Sequence, residues 1–142
     1  MAVRLKFKSS LNNTSPCIKP FYVGASQTLY AGDVLALSSN LAVAAADAPN
    51  TRTIIGVATS DATTTSTVTT ADVIYADVNP ASIYEIVHSG SATPAIGACY
   101  DFATAPYTMD SDDTTGGFLQ VVGNVATNTA DIILNKRVFG ML

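Results

Sequence analysis

Short apolar runs rich in β-branched residues recur along this chain at a spacing of about 8–12 residues, and a turn former closes each one. Val34-Leu35-Ala36-Leu37 follows the turn Ala31-Gly32-Asp33, and Leu41-Ala42-Val43-Ala44 follows Asn40. Thr53-Ile54-Ile55-Gly56-Val57-Ala58 follows the loop Asp47-Ala48-Pro49-Asn50. The cadence continues through Val73-Ile74-Tyr75, Ile83-Tyr84-Glu85-Ile86-Val87, Cys99-Tyr100-Asp101-Phe102, Phe118-Leu119-Gln120-Val121-Val122 and Asp131-Ile132-Ile133-Leu134. Runs this short, with Gly, Asn, Asp and Pro between them, leave no room for an amphipathic helix longer than two turns. Ala44-Ala45-Ala46 is the nearest candidate, and Pro49 stops it. Charged residues make up 13% of the chain and Glu85 is its single glutamate, so the side chains that usually cover helices are missing. The expectation is an all-β protein, a compact small β-barrel or sandwich.

One glycine inside a run carries a more local message. Gly56 interrupts the most apolar run of the first half, which points to a bulge or a close backbone approach within a buried strand. Thr63 to Thr70 is low in complexity and reads as a loop running into a strand.

The first residues differ in character from the rest. Val3, Leu5 and Phe7 alternate with Arg4, Lys6 and Lys8, so a strand here has one apolar and one basic row. Ser9 to Pro16 is polar and full of turn formers, and Pro16 and Pro20 bracket Cys17. Residues 1–25 therefore read as an extended N-terminal arm, and residues 26–142 as a single β domain.

Charge is unevenly distributed. The net charge is −4, yet Arg4, Lys6, Lys8 and Lys19 all precede the first acidic residue, Asp33. No Lys or Arg occurs from Thr53 through Asn135, and then Lys136 and Arg137 follow. An acidic body argues against nucleic acid as a partner. No apolar stretch approaches the length of a membrane span, and the charged start does not read as an export signal, so synthesis in a cytoplasm is expected. Without export the overlapping sequons in Asn12-Asn13-Thr14-Ser15 stay silent. Cys17 and Cys99 read as two separate thiols, with one bridge as the alternative.

No pattern for chemistry emerges. His88 is the single histidine and reads as a strand-end residue at the surface with no acid–base partner. There is no Gly-x-Ser-x-Gly elbow, and one histidine with two distant cysteines does not suit zinc. Asp110-Ser111-Asp112-Asp113-Thr114-Thr115-Gly116 looks superficially like a calcium loop. An EF-hand needs Gly at its sixth position and Glu at its twelfth, where this chain has Thr115 and Val121. The expectation is no enzyme, no cofactor and no metal.

Three stretches together resemble the small head-decoration, or capsid cement, proteins of tailed bacteriophages, broadly the lambda-type. They are Leu29-Tyr30-Ala31-Gly32-Asp33-Val34-Leu35-Ala36-Leu37, then Ile54-Ile55-Gly56-Val57-Ala58, then Ile83-Tyr84-Glu85 with Ile96-Gly97-Ala98-Cys99-Tyr100 and Gly117-Phe118-Leu119-Gln120-Val121-Val122-Gly123. The resemblance spans about residues 21–135 and implies a β protein on the virion exterior. There it would bind the major capsid protein on the outer face of a finished shell, as a homotrimer at three-fold positions, and stabilise that shell. Residues 1–20 fall outside the resemblance, so shell contact is read from the chain itself. The basic and apolar arm residues Val3, Arg4, Leu5, Lys6, Phe7 and Lys8, with Lys136 and Arg137, are the expected contact residues. The alternative is a head-fibre or tail-associated receptor- or glycan-binding module. Exposed aromatics on a concave face would mark it, drawn from Tyr22, Tyr30, Tyr75, Tyr84, Tyr100 and Tyr107.

Overall fold

The computed structural model describes residues 3–45, 53–103, 105–114 and 117–139, and every regular element among them is a strand. In chain order the first are β1 (Lys6–Ser10), β2 (Ile18–Tyr22), β3 (Thr28–Leu29), β4 (Val34–Ser38) and β5 (Leu41–Ala44). Next come β6 (Ile54–Ala58), β7 (Ala62–Thr63), β8 (Val73–Asp77) and β9 (Ser82–Ser89). The last are β10 (Cys99–Phe102), β11 (Thr108–Asp110), β12 (Leu119–Gly123) and β13 (Thr129–Leu134). The protein is all-β, as the cadence of apolar runs requires.

β9, the longest strand, organises one half. Its alternation is strict: Ser82, Tyr84, Ile86 and His88 point inward while Ile83, Glu85 and Val87 are half exposed. One edge pairs with β13 through Ala130↔Ile86 and Ile132↔Tyr84. The opposite edge is shared, with β1 along its first half and β11, in parallel, along its second. From β11 the ladder passes through β10 and β12 to β13 and so back to β9, closing a five-stranded barrel. Phe102 and Phe118 meet edge to face inside it with ring centres 5.0 Å apart.

The second sheet runs β2-β8-β6-β4-β5 and curls until Val23, just past β2, bridges Ala42 on β5. The Gly24 amide donates to the Ala42 carbonyl at 2.9 Å there. A short ribbon of β3 with β7 lies beside it, and Leu29 is buried in the core that this sheet encloses.

The two halves share β4 and β6, which explains why the run at residues 54–58 is apolar throughout. A strand buried on both faces has no polar side. Ile54 and Val57 pack into the barrel core, while Ile55 and Ala58 pack into the other. A regular strand would place residues three apart on opposite faces. The register supplies the missing step: Leu35 pairs with Gly56 and Ala36 with Ile54, so Ile55 has no opposite number on β4. That bulge reverses the parity of β6 midway. At the same residue the backbone of β8 comes so close that a Cβ on Gly56 would collide with the Asp77 carbonyl. Both features expected at Gly56 are present.

Residues 3–25 lie differently from a free arm. β1 pairs with β9 from Lys6↔Glu85 to Ser10↔Ser82, and β2 pairs with β8 from Ile18↔Asp77 to Tyr22↔Val73. The polar stretch between them carries the chain from one sheet to the other, pinned where the Asn79 side-chain amide donates to Thr14 Oγ1 at 2.8 Å. Cys17 is exposed and Cys99 half-buried, and both are free thiols.

Replacing Gly56 with alanine is expected to cost about 3 kcal/mol, because the clash is with the Asp77 backbone of β8, held in its sheet between β2 and β6. Urea unfolding of Gly56→Ala against the parent measures it.

Candidate functional site

The eight residues expected to face a shell divide into two groups. Val3 and Phe7 are 53% and 42% exposed, and Lys6 and Lys8 are exposed beside them. Lys8 reaches Glu85 on β9 at 3.4 Å, an ion pair open to solvent. Lys6 and Lys8 lie on the Glu85 side of this edge strand, Phe7 lies on the other side with its ring edge to face on Tyr84 at 5.8 Å, and Val3 precedes the strand.

The remaining arm residues turn inward. Leu5 is buried in the barrel core. Arg4 Nε donates to Asp33 at 2.7 Å, and its guanidinium lies 4.4 Å from the ring centres of both Tyr30 and Tyr107. Asp33, itself buried, also accepts the Tyr30 amide at 2.9 Å. Here the guanidinium clamps the arm to the Tyr30–Asp33 turn, and its charge is already matched.

Arg137 departs furthest from expectation, being 7% exposed. Residues 136–138 run beside β6: the Ile54 amide donates to the Lys136 carbonyl at 3.0 Å, and the Val138 amide to the Ile54 carbonyl at 2.8 Å. That pairing aims the Arg137 side chain between the sheets, where Nη2 donates to the Ile55 carbonyl at 3.1 Å. Burial pushes its guanidinium below the ordinary arginine range, and the nearby Asp77 carboxylate opposes the shift. Asp77 is also buried. It accepts the Cys17 and Asn79 amides on Oδ1, both at 3.0 Å, and the Tyr84 hydroxyl on Oδ2 at 2.5 Å. Burial first, and then that bond to Asp77, raise the Tyr84 hydroxyl far above the usual tyrosine range, so it remains a donor. Arg137 is thus part of an internal polar cluster, while Lys136 is half-buried.

Two concavities lie elsewhere. On the outer face of β2 and β8, Pro20 sits opposite Tyr75 and Tyr22 opposite Val73, lining a groove of about 450 Å³. Tyr22 and Tyr75 are 51% and 48% exposed. Ser60 Oγ accepts the Tyr75 amide at 3.0 Å, which fixes the strand beneath the ring. Of the other tyrosines, Tyr84 and Tyr100 are core and Tyr107 lies half-buried against Arg4. Tyr30 is partly exposed but occupied by Arg4. The period-two pattern Ile18, Pro20, Tyr22 already contained this groove, but only the pairing with Tyr75 makes it a surface.

The other concavity, also about 450 Å³, opens at the end of β9 between residues 90–94 and 125–127. His88 lines it and is 9% exposed, so the histidine belongs to the interior rather than to the surface. The alternation Tyr84, Ile86, His88 was the available signal. Beside it the acidic turn anchors its neighbour: Asp112 accepts the Ser91 and Ala92 amides at 2.7 and 2.9 Å. Among the described residues no acidic, cysteine and histidine side chains group as metal ligands. Thr115 and Gly116, the end of the calcium-like stretch, lie outside the described residues. No helix among the described residues is long and apolar enough to cross a membrane.

Comparison with known proteins finds no matching family model and no matching curated protein.

Two measurements check this geometry. Tyr84→Phe leaves Asp77 Oδ2 without its hydroxyl donor and is expected to destabilise by about 1–3 kcal/mol in urea unfolding. Asp112 is held below its ordinary pKa of 3.8 by the Ser91 amide and then the Ala92 amide. Its anchoring is therefore complete above 3.8 and is lost as pH falls through the lowered folded value. The Ser91 and Ala92 amide proton shifts should titrate together with a midpoint below 3.8, and Asp112→Asn should remove the transition.

Proposed function

We propose that this chain is a non-catalytic structural protein that binds the outer surface of a tailed-bacteriophage capsid and stabilises the shell. It would act on the virion exterior, as homotrimers on the major capsid protein. The observation that carries the reading is the exposure of Lys6, Phe7 and Lys8 on β1, an edge strand held along the longest strand of the barrel, with the exposed Val3 just before it. Two large apolar side chains in water beside two lysines suit a contact that buries Val3 and Phe7 while the lysines meet acidic groups. The motif resemblance over residues 21–135 supplies the kind of partner. Arg4 and Arg137, matched inside the protein, leave the attraction to Lys6 and Lys8.

Lys6→Glu/Lys8→Glu should keep the fold and weaken co-sedimentation with shells lacking the protein by at least about tenfold, with a flatter salt dependence. Undiminished binding by the double variant overturns the reading. Deleting the first 15 residues is the poorer test, because it removes Leu5 and the Arg4–Asp33 pair from the folded body.

One observation favours a receptor- or glycan-binding module instead, namely the uncharged groove between Tyr22 and Tyr75. On that reading Tyr22→Ala abolishes attachment to host-surface glycans and shell binding is absent.

A further inference from the structure

The cavity at the end of β9 has features that a mere gap between loops would lack. His88 Nε2 lies 3.0 Å from the Ala126 carbonyl, and a carbonyl only accepts, so Nε2 carries the proton. In the neutral ring Nδ1 is then an acceptor. It has no protein partner among the described residues, and His88 lines the cavity. An acceptor on a ring that is nine-tenths buried and lines a concavity is a fixed point for a ligand's donor.

The walls are set in advance. On one side Asp112 holds the Ser91 and Ala92 amides, and Ser111 Oγ donates to the Ser89 carbonyl at 2.7 Å. On the other the Ala126 amide donates to Thr129 at 2.8 Å and the His88 amide to Asn128 at 2.9 Å. These bonds tie down the loops that line the cavity. They leave the Ser91, Thr93 and Thr127 hydroxyls, which line it, without protein partners among the described residues.

We propose that this cavity is a binding site for one uncharged sugar residue. No charged side chain lines it, and the carboxylate nearest its wall, Asp112, disfavours phosphate or carboxylate ligands. Three rotatable hydroxyls and one fixed acceptor match a ring of hydroxyl groups, each of which donates or accepts. Pro94 and Val125 offer apolar surface to the C–H face of a pyranose. A volume of about 450 Å³ lies within the range of small-ligand sites. The site is separate from β1, so it stands or falls independently of shell binding.

Because His88 is the single histidine, its imidazole nitrogens give one unambiguous NMR probe. The full chain, labelled with ¹⁵N, is titrated with glucose, galactose, mannose and N-acetylglucosamine, and separately with inorganic phosphate. At least one sugar should shift Nδ1 saturably, with a dissociation constant on the order of 1 mM. Thr127→Val, a near-isosteric change in an exposed loop, should weaken that sugar by about threefold to tenfold. His88→Gln, retaining an acceptor, should bind more tightly than His88→Phe. A response to phosphate alone overturns the ligand class. The site itself is refuted if no sugar moves Nδ1 in the folded protein, or if Thr127→Val titrates as the parent does. A polysaccharide ending in the responding sugar then separates a free monosaccharide ligand from a surface glycan, since only the latter gains affinity from the polymer.

Discussion

Burying β6 on both faces is the constraint around which the rest of the structure is arranged. Four of the five residues from Ile54 to Ala58 must send side chains into two cores, and a period-two strand alone cannot distribute them as observed. The bulge at Ile55 reverses the alternation, and it is tolerated because Gly56 has no side chain to meet the approaching β8 backbone. Ile54, Ile55, Leu35 and Val34 are all fully buried as a result. A residue at position 56 with any side chain would separate β6 from β8 and open the seam between the two cores.

That seam is also where the protein buries charge. A lone guanidinium or carboxylate inside costs several kcal/mol, so both must be matched. Asp77 collects two amides and a tyrosine hydroxyl, and Arg137 donates to main-chain carbonyls while its charge faces Asp77 and Tyr84. The groups come from β8, β9 and the segment after β13, and β9 and β13 belong to a different sheet from β8. This cluster therefore ties the sheets to each other by polar contacts, where the shared strands tie them by apolar ones. Arg4 repeats the arrangement on a smaller scale at the barrel's edge, between Tyr30, Tyr107 and Asp33.

Strand content was legible because turn formers and apolar runs are local signals. Residues 54–58 read correctly as a buried strand with a special glycine, and the structure adds that it is buried on both faces. What local reading misses is long-range partnership. Basic residues at 4 and 137 look like surface charge until Asp33 and Asp77, distant in sequence, are placed beside them. The stretch from Ser9 to Pro16 has the composition of a loose tether, yet it joins strands of two sheets, since pairing depends on the β9 and β8 edges rather than on the linker. His88 shows the opposite case: strict alternation from Tyr84 placed it inward, and its closeness to Ser89-Gly90 suggested a surface. Nothing local announced that residues 90–94 and 125–127 would meet over it.

What remains outward is informative by contrast. With Arg4, Leu5 and Arg137 committed to the interior, Val3, Lys6, Phe7 and Lys8 stay exposed, the last three on an edge-strand surface whose orientation β9 fixes. A rigid edge strand is a better contact element than a mobile arm, because little conformational entropy is lost when it docks. The central claim is that this surface faces a capsid shell. Electron cryomicroscopy of shells saturated with the protein tests it most directly. The account predicts density for the barrel with β1 against the shell and the Tyr22–Tyr75 groove turned away, whereas β1 facing solvent on a bound molecule would contradict it.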